Sequence, residues 1–319
     1  MLRCLRKMNC ASVQTLAQQT SLSYVTVNNL IRQLLESTEV LPGNLLPSAG
    51  GRPSQTYRFR PDFRHAAVVY GHTQNGRDTL HLRVTDLCGK SVYRRDLLPD
   101  RVTLSYLMQL LADAFAQCPD IAAVGIGLPG EELDGVVTIN DYTDLVGTRL
   151  TASLSAAYGV PVFFENDINA AILGFSEEAH ASESCTVGIY FPGKHIPGAG
   201  ILLNGEIYRG KQHFAGELRP QPFGIDWLAP KSRAETLADT AKLCSAICCL
   251  LAPDTIVLYG ESLPDDTAEI VAQKVCDLLS GKFCPQIVLS HAFEPHFEKG
   301  MIRQTLERVE EALLQEAHF

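Results

Sequence analysis

Phe163-Phe164-Glu165-Asn166-Asp167-Ile168-Asn169-Ala170-Ala171-Ile172-Leu173-Gly174 changes character at its centre. The apolar run that begins near Tyr158-Gly159-Val160-Pro161-Val162 ends in three consecutive polar side chains, and an Ala-rich helical pattern starts at once. Asn166 and Asp167 therefore fall at a strand-to-helix junction. In an α/β sheet such a junction opens onto the crevice at the carboxyl ends of the strands, where helix amino termini offer free N–H groups. An Asp placed there can take a proton from a substrate hydroxyl or hold that hydroxyl by a charge-assisted hydrogen bond. Capping the helix is the other use of Asn and Asp at this position, and the stretch by itself fits both.

Outward from it, strand and helix patterns alternate. His65 to Gly71, Thr79 to Asp86 and Ile121 to Leu128 read as strands, and Leu104 to Cys118 reads as a helix. Thr186 to Phe191 and Ile201 to Leu203 are further strands, the second closed by Asn204-Gly205, a strong hairpin signal. The tail reads as helix 233–251, strand 255–259, helix 266–279, strand 286–290 and a closing helix 299–317. This alternation argues for an α/β body without a repeat of fixed period. Glu131 and Glu132, after Pro129-Gly130, read as exposed loop acids.

The first sixty residues differ. Ser12 caps a short helical run, Val13 to Gln19, and Thr20-Ser21-Leu22-Ser23 turns into a second helix from Tyr24 to Leu35. Leu16, Ala17, Leu22, Val27 and Leu30 stand where a helix-turn-helix needs apolar contacts. The other face of the second helix carries Tyr24, Thr26, Asn28, Asn29, Arg32 and Gln33, side chains able to read base edges. Val40 to Leu46 and Thr56 to Phe59 make a hairpin wing around Gly50-Gly51-Arg52-Pro53, with Arg52 placed to enter a minor groove. A wing used only for protein contacts is the alternative.

Charge divides the same way. Residues 1–64 hold eight Lys and Arg against three acids, net +5, whereas the remainder is net −14 within a total of −9 over 319 residues. A basic module on an acidic body suggests that only the first part meets a polyanion. No apolar run is long enough for a membrane span, and no secretory pattern opens the chain, so a cytoplasmic protein without membrane contact is expected. The ten Cys lack CxxC spacing and are expected to be buried thiols.

Five motifs in order, Gly-Gly-Arg-Pro after the wing, Gly127-Leu128-Pro129-Gly130, Glu165-Asn166-Asp167, Gly198-Ala199-Gly200 with Asn204-Gly205, and Ala215-Gly216-Glu217-Leu218, resemble the ROK family of sugar-responsive repressors and sugar kinases. The resemblance implies an α/β, actin-like (ribonuclease H-like) two-lobe ATPase fold behind a winged helix-turn-helix. It places the DNA-binding domain at residues 1–62 and the effector and dimerisation domain at 63–319, with lobes of roughly 63–165 and 166–319. It also implies that Asn166, Asp167, Glu217, Gly130 and Asn140 surround a sugar, Asp167 standing where the kinases keep their base.

The departures concern phosphate and metal. The family's first phosphate loop is replaced by His72-Thr73-Gln74-Asn75, and its second by Lys194-His195-Ile196 followed by Pro197, which has no N–H. Phosphoryl transfer rests on positioning and charge neutralisation, so no ATP and no catalytic residue are expected. The family's zinc-ligating His falls at Pro220, and no cysteine cluster follows, so no zinc is expected. The sequence reads as a regulator, expected to be a repressor of carbohydrate-metabolism genes. Its partners would be a double-stranded DNA operator, a carbohydrate effector and further copies in a homodimer or homotetramer. A sugar kinase carrying a DNA-binding head, and a regulator whose body serves only for dimerisation, are the rival readings.

Overall fold

Two serines shape the amino-terminal unit. The computed structural model describes residues 1–46, 53–74, 77–179, 184–192, 196–218, 224–260 and 263–316. The unit comprises α1 (Leu2–Met8), β1 (Cys10–Ser12), α2 (Val13–Thr20), α3 (Tyr24–Glu36), β2 (Val40–Leu46) and β3 (Ser54–Phe59). Ser12 Oγ accepts the Thr15 N–H at 3.2 Å and Ser23 Oγ accepts that of Thr26 at 3.1 Å, so each helix starts on a side-chain cap. The two helices pack through Leu16, Val27 and Ile31, all fully buried, over an antiparallel sheet of order β1-β3-β2. Two sequence expectations are corrected here: Leu22 is 39% exposed and Leu30 only half-buried, because Ile31 faces the core instead. The bend with Arg52 lies outside the described residues.

The first lobe contains β4 (His65–Tyr70), a small hairpin of β5 (Thr73–Gln74) and β6 (Arg77–Asp78), β7 (Leu80–Asp86), β8 (Ser91–Leu97), α4 (Leu104–Gln117) and β9 (Ile121–Leu128). A second hairpin, β10 (Gly130–Leu133) with β11 (Val136–Asn140), precedes α5 (Leu150–Tyr158) and β12 (Val162–Asn166). The central sheet has the order β12-β9-β4-β7-β8, with β4, β9 and β12 parallel and β7 and β8 antiparallel. Every residue of β4 after His65 is buried, as a strand covered on both faces requires.

α6 (Asp167–Ala179) leads to the second sheet, made of β13 (Cys185–Tyr190), β14 (Gly198–Leu203), β15 (Glu206–Ile207), β16 (Thr255–Tyr259) and β17 (Gln286–Ser290). α7 (Arg233–Leu251), α8 (Thr267–Leu278) and α9 (Phe293–Glu316) complete the described helices. Its order, β15-β14-β13-β16-β17, with β13, β16 and β17 parallel, repeats that of the first sheet read from the β8 edge, β8-β7-β4-β9-β12. The sequence shows no periodic repeat; the backbone shows a duplicated topology.

α6 and α9 each follow the last strand of a sheet, and they pack on one another with the same residue spacing. Gly174, the eighth residue of α6, lies where a Cβ would stand 2.0 Å from the carbonyl oxygen of His296, the fourth of α9. Gly300, the eighth of α9, would in turn meet the carbonyl oxygen of Ala170, the fourth of α6, at 1.8 Å. Only glycine at both places allows two backbones so close. α9 also buries Phe297 and Met301 with Val68 and Tyr70 of the first sheet and Val257 and Tyr259 of the second.

α9 begins six residues before the expected start, and Pro295 fits its first turn because N–H groups there have no helical partner. The cysteine expectation is corrected in part: Cys276 and Cys284 form a disulfide, and Cys10, Cys88 and Cys249 are exposed. No helix among the described residues is long and apolar enough to cross a membrane.

Candidate functional site

β12 ends at Asn166 and α6 begins at Asp167, so the junction read from the sequence opens directly into a cleft of about 300 Å³ between the two sheets. Asn166 Oδ1 and Asp167 Oδ1 both accept the Ile168 N–H, at 3.1 and 2.8 Å. The junction thus caps its helix, and the Asp167 carboxylate also lines the cleft. Asp167 is only 6% exposed, and burial pushes its carboxyl up to about 7, opposed by the Ile168 N–H and reinforced by Asp141. A base poised near neutrality can accept a hydroxyl proton or share one.

Asn166 Nδ2 donates to the Gly130 carbonyl at 3.1 Å, tying the junction to β10. Glu217 reaches the wall because Gly216, at φ +95, lies flat against β14: Ala199 N–H donates to the Gly216 carbonyl at 3.0 Å. A Cβ at Gly216 would stand 1.8 Å from the Ala199 carbonyl oxygen, so the glycine of Ala-Gly-Glu is obligatory. Gly130, Asn166, Asp167 and Glu217 all line the same cleft. Asn140 does not line it; it is buried behind the wall, where its Oδ1 accepts the Tyr142 N–H at 2.9 Å, and its neighbour Asp141 takes the lining place.

Several lining residues escaped the sequence reading. Glu131 and Glu132 are half-buried on β10 rather than exposed in a loop. Glu132 accepts the Thr151 hydroxyl and N–H at the start of α5, whereas Glu131 Oε1 is buried and meets His213 Nδ1 at 3.4 Å. Glu165, 2% exposed, is bound by Arg209 from the opposite lobe and by Asn169 Nδ2 at 3.1 Å. A signal for Glu165 was present, since a carboxylate inside an apolar strand demands a partner.

Where each lobe's first strand ends, aromatic side chains meet. His72 follows β4, Tyr190 ends β13, and Phe293 opens α9 between them. The Phe293 ring stacks on Tyr190 at 3.9 Å between centroids and meets the edges of His72 at 5.7 Å and Tyr259 at 5.4 Å. Ile196 and Pro197 line the cleft nearby, while Lys194 and His195 lie outside the described residues. No three His, Cys, Asp or Glu side chains among the described residues converge as metal ligands; Pro220 lies outside them.

On the amino-terminal unit, Tyr24, Thr26, Asn29, Arg32 and Gln33 are exposed on α3 and Asn28 is half-buried. The Thr26 and Ser23 hydroxyls share a hydrogen bond of 2.8 Å.

Two lobes of one topology closing on an Asp at a strand-to-helix junction define an actin-like, sugar-kinase type of fold. Within that class, the model of the ROK family matches residues 71–219, just under half of the chain. A putative xylose repressor of Caldicellulosiruptor sp. (strain Rt8B.4) is 27% identical over 64% of this chain and 52% of its own length. The match therefore spans about half the length of that relative. A crystal structure of a ROK family transcriptional regulator, a homologue of the E. coli MLC protein, superposes with a TM-score of 0.67 at 16% identity. It covers 96% of this chain and 95% of its own. A ROK hexokinase from Thermus thermophilus superposes with a TM-score of 0.60 at 18% identity, covering 78% of this chain and 99% of its own. At these identities the structures speak for the fold.

Proposed function

We propose that the protein is a sugar-responsive transcriptional repressor whose kinase-like body binds a carbohydrate without phosphorylating it. The amino-terminal unit acts as a winged helix-turn-helix with α3 as its recognition helix, and the body joins copies into a two-fold assembly on a palindromic operator. The likeness to a putative xylose repressor supports this reading, as does the likeness to a ROK family transcriptional regulator over nearly the whole chain.

The aromatic cluster of His72, Phe293 and Tyr190 carries the non-kinase part. The resemblance puts the phosphate loops after the first strand of each lobe, and at the ends of those strands the Phe293 ring stacks on Tyr190 and meets the edge of His72. On the first-lobe side the Thr73 hydroxyl donates to Asp78 Oδ1 at 2.9 Å, a bond turned inward, beside a negative charge. A phosphate needs N–H groups and cations, and the described side chains here offer rings and a carboxylate instead.

Sugar would enter between Asp167, Asn166 and Glu217, and closure around it would change how the lobes present the heads, provided the two states differ in sugar affinity. A thermal-shift screen of sugars with and without Mg-ATP tests both parts. One sugar raising the melting temperature, unaltered by ATP, is the expected result; a shift or hydrolysis that needs ATP would restore the kinase. Asp167→Ala should lose the shift and keep operator binding.

Selection from random duplexes should return a two-fold symmetric sequence. Asn29→Ala or Gln33→Ala should then weaken it by on the order of tenfold, the worth of one good base contact.

A further inference from the structure

Hydrogen-bond polarity in the cleft is one-sided. Its described lining carries six carboxylates, on Glu131, Glu132, Asp141, Glu165, Asp167 and Glu217, against one guanidinium, Arg209, and two imidazoles, His72 and His213. Arg209 is spent on Glu165, and Glu132 is held by α5. Three nearby side-chain donors are committed too: Asn169 Nδ2 to Glu165, Asn166 Nδ2 to the Gly130 carbonyl and Thr73 Oγ1 to Asp78.

Glu131 shows what is missing. Its Oε1 is buried without a hydrogen bond, and the His213 ring faces it with Nδ1 at 3.4 Å. Burial raises its carboxyl pKa, His213 opposes the rise and Glu217 adds to it, so two carboxylates share one small space. A second, independent feature points to a ligand: Asp167, more than nine-tenths buried, lines the same cavity rather than the solid core. An ionised carboxylate only accepts hydrogen bonds, so this wall asks its ligand for donors.

We propose that the cleft selects an unphosphorylated, non-acidic sugar, and that a protonated amino group on the sugar strengthens binding through Glu131 and Glu217. This rests on the reading that the cleft holds a sugar. Hydroxyls supply donors and an ammonium supplies three with a positive charge, whereas a phosphate or a uronic acid brings only acceptors and negative charge. The same wall therefore admits the first two and rejects the others.

Calorimetric titration of the full chain with matched sets tests it: glucose, galactose and mannose, each as the free sugar, the 2-amino sugar, the 6-phosphate and the uronic acid, with xylose added. Within the set that binds, the amino form should be about fivefold tighter than the parent, and the phosphate and acid at least about tenfold weaker. Raising salt should erode the amino advantage and leave the parent unchanged. Glu131→Gln should abolish that advantage while the circular dichroism spectrum and parent-sugar binding persist. An anionic form binding tighter than its parent, or an amino form with no advantage, overturns the inference and leaves the sugar-sensing reading intact. Binding by no member of any set overturns the sugar site itself, and the inference with it.

Discussion

Asp167 holds a titratable proton in a nearly solvent-free position, and its pH linkage has a definite sign. Its carboxyl is pushed up from 3.8 to about 7 in the folded protein. The native state therefore binds more protons than the unfolded one between those values, and stability falls as pH rises from about 4 through 7. Asp167→Asn removes the ionisation; the variant should gain stability over the parent at pH 8, by at most about 4 kcal/mol, and the gain should fade by pH 5. Urea melts at the two pH values check this, and equal gains at both would place the charge in solvent. At this scale the sequence was informative where chemistry and spacing coincide: Asn166, Asp167 and Glu217 were found, and they share one cleft. Glu131 was missed because nothing local distinguishes an acid in a loop from one on the half-buried hairpin β10. His213 and Arg209 were missed because their partners lie 82 and 44 residues earlier in the chain.

The paired helices α6 and α9 decide how the two lobes meet. Gly174 and Gly300 let their backbones approach, so Gly300→Ala sets a methyl against the Ala170 carbonyl and must spread the pair. The expected cost is about 3 kcal/mol, the upper part of the range for overpacked cores, read as a lower urea midpoint with an unchanged slope. Gly135→Ala is the control for a glycine whose added methyl touches nothing, although its positive φ brings a smaller backbone penalty. Helices and strands were legible one at a time, from apolar spacing and from caps such as Ser12 and from Asn204-Gly205. The duplication of strand order was not legible. It resides in which backbones pair, and the two lobes fill equivalent positions with unrelated side chains: Asp167 opens α6, and Phe293 opens α9.

Across the whole molecule, the amino-terminal unit is fastened to the body rather than merely tethered. Leu5 is fully buried in a cluster with Leu87, Ala123 and Val309. Arg3 Nε and Arg6 Nη1 each lie 2.7 Å from a carboxylate oxygen of Glu310 on α9. Glu310→Ala should lower stability by only about 1 kcal/mol, because Arg3 is largely in solvent, yet speed amide exchange in α1 selectively. Exchange rising equally across the body would mean that the ion pairs do not hold the head. Neither α1 nor its docking was read from the sequence, since its partners lie some 300 residues further along.

Biosynthesis has to follow from the place of α9. The chain emerges from its amino end, so the buried faces of β4 and α6 exist long before Phe297 and Met301 arrive to cover them. Until those last residues leave the ribosome, Val68, Tyr70 and Ile168 remain uncovered and the head has no Glu310 to grip. A nascent chain stalled before Phe293 should therefore expose these apolar faces, and they are covered only once α9 has emerged.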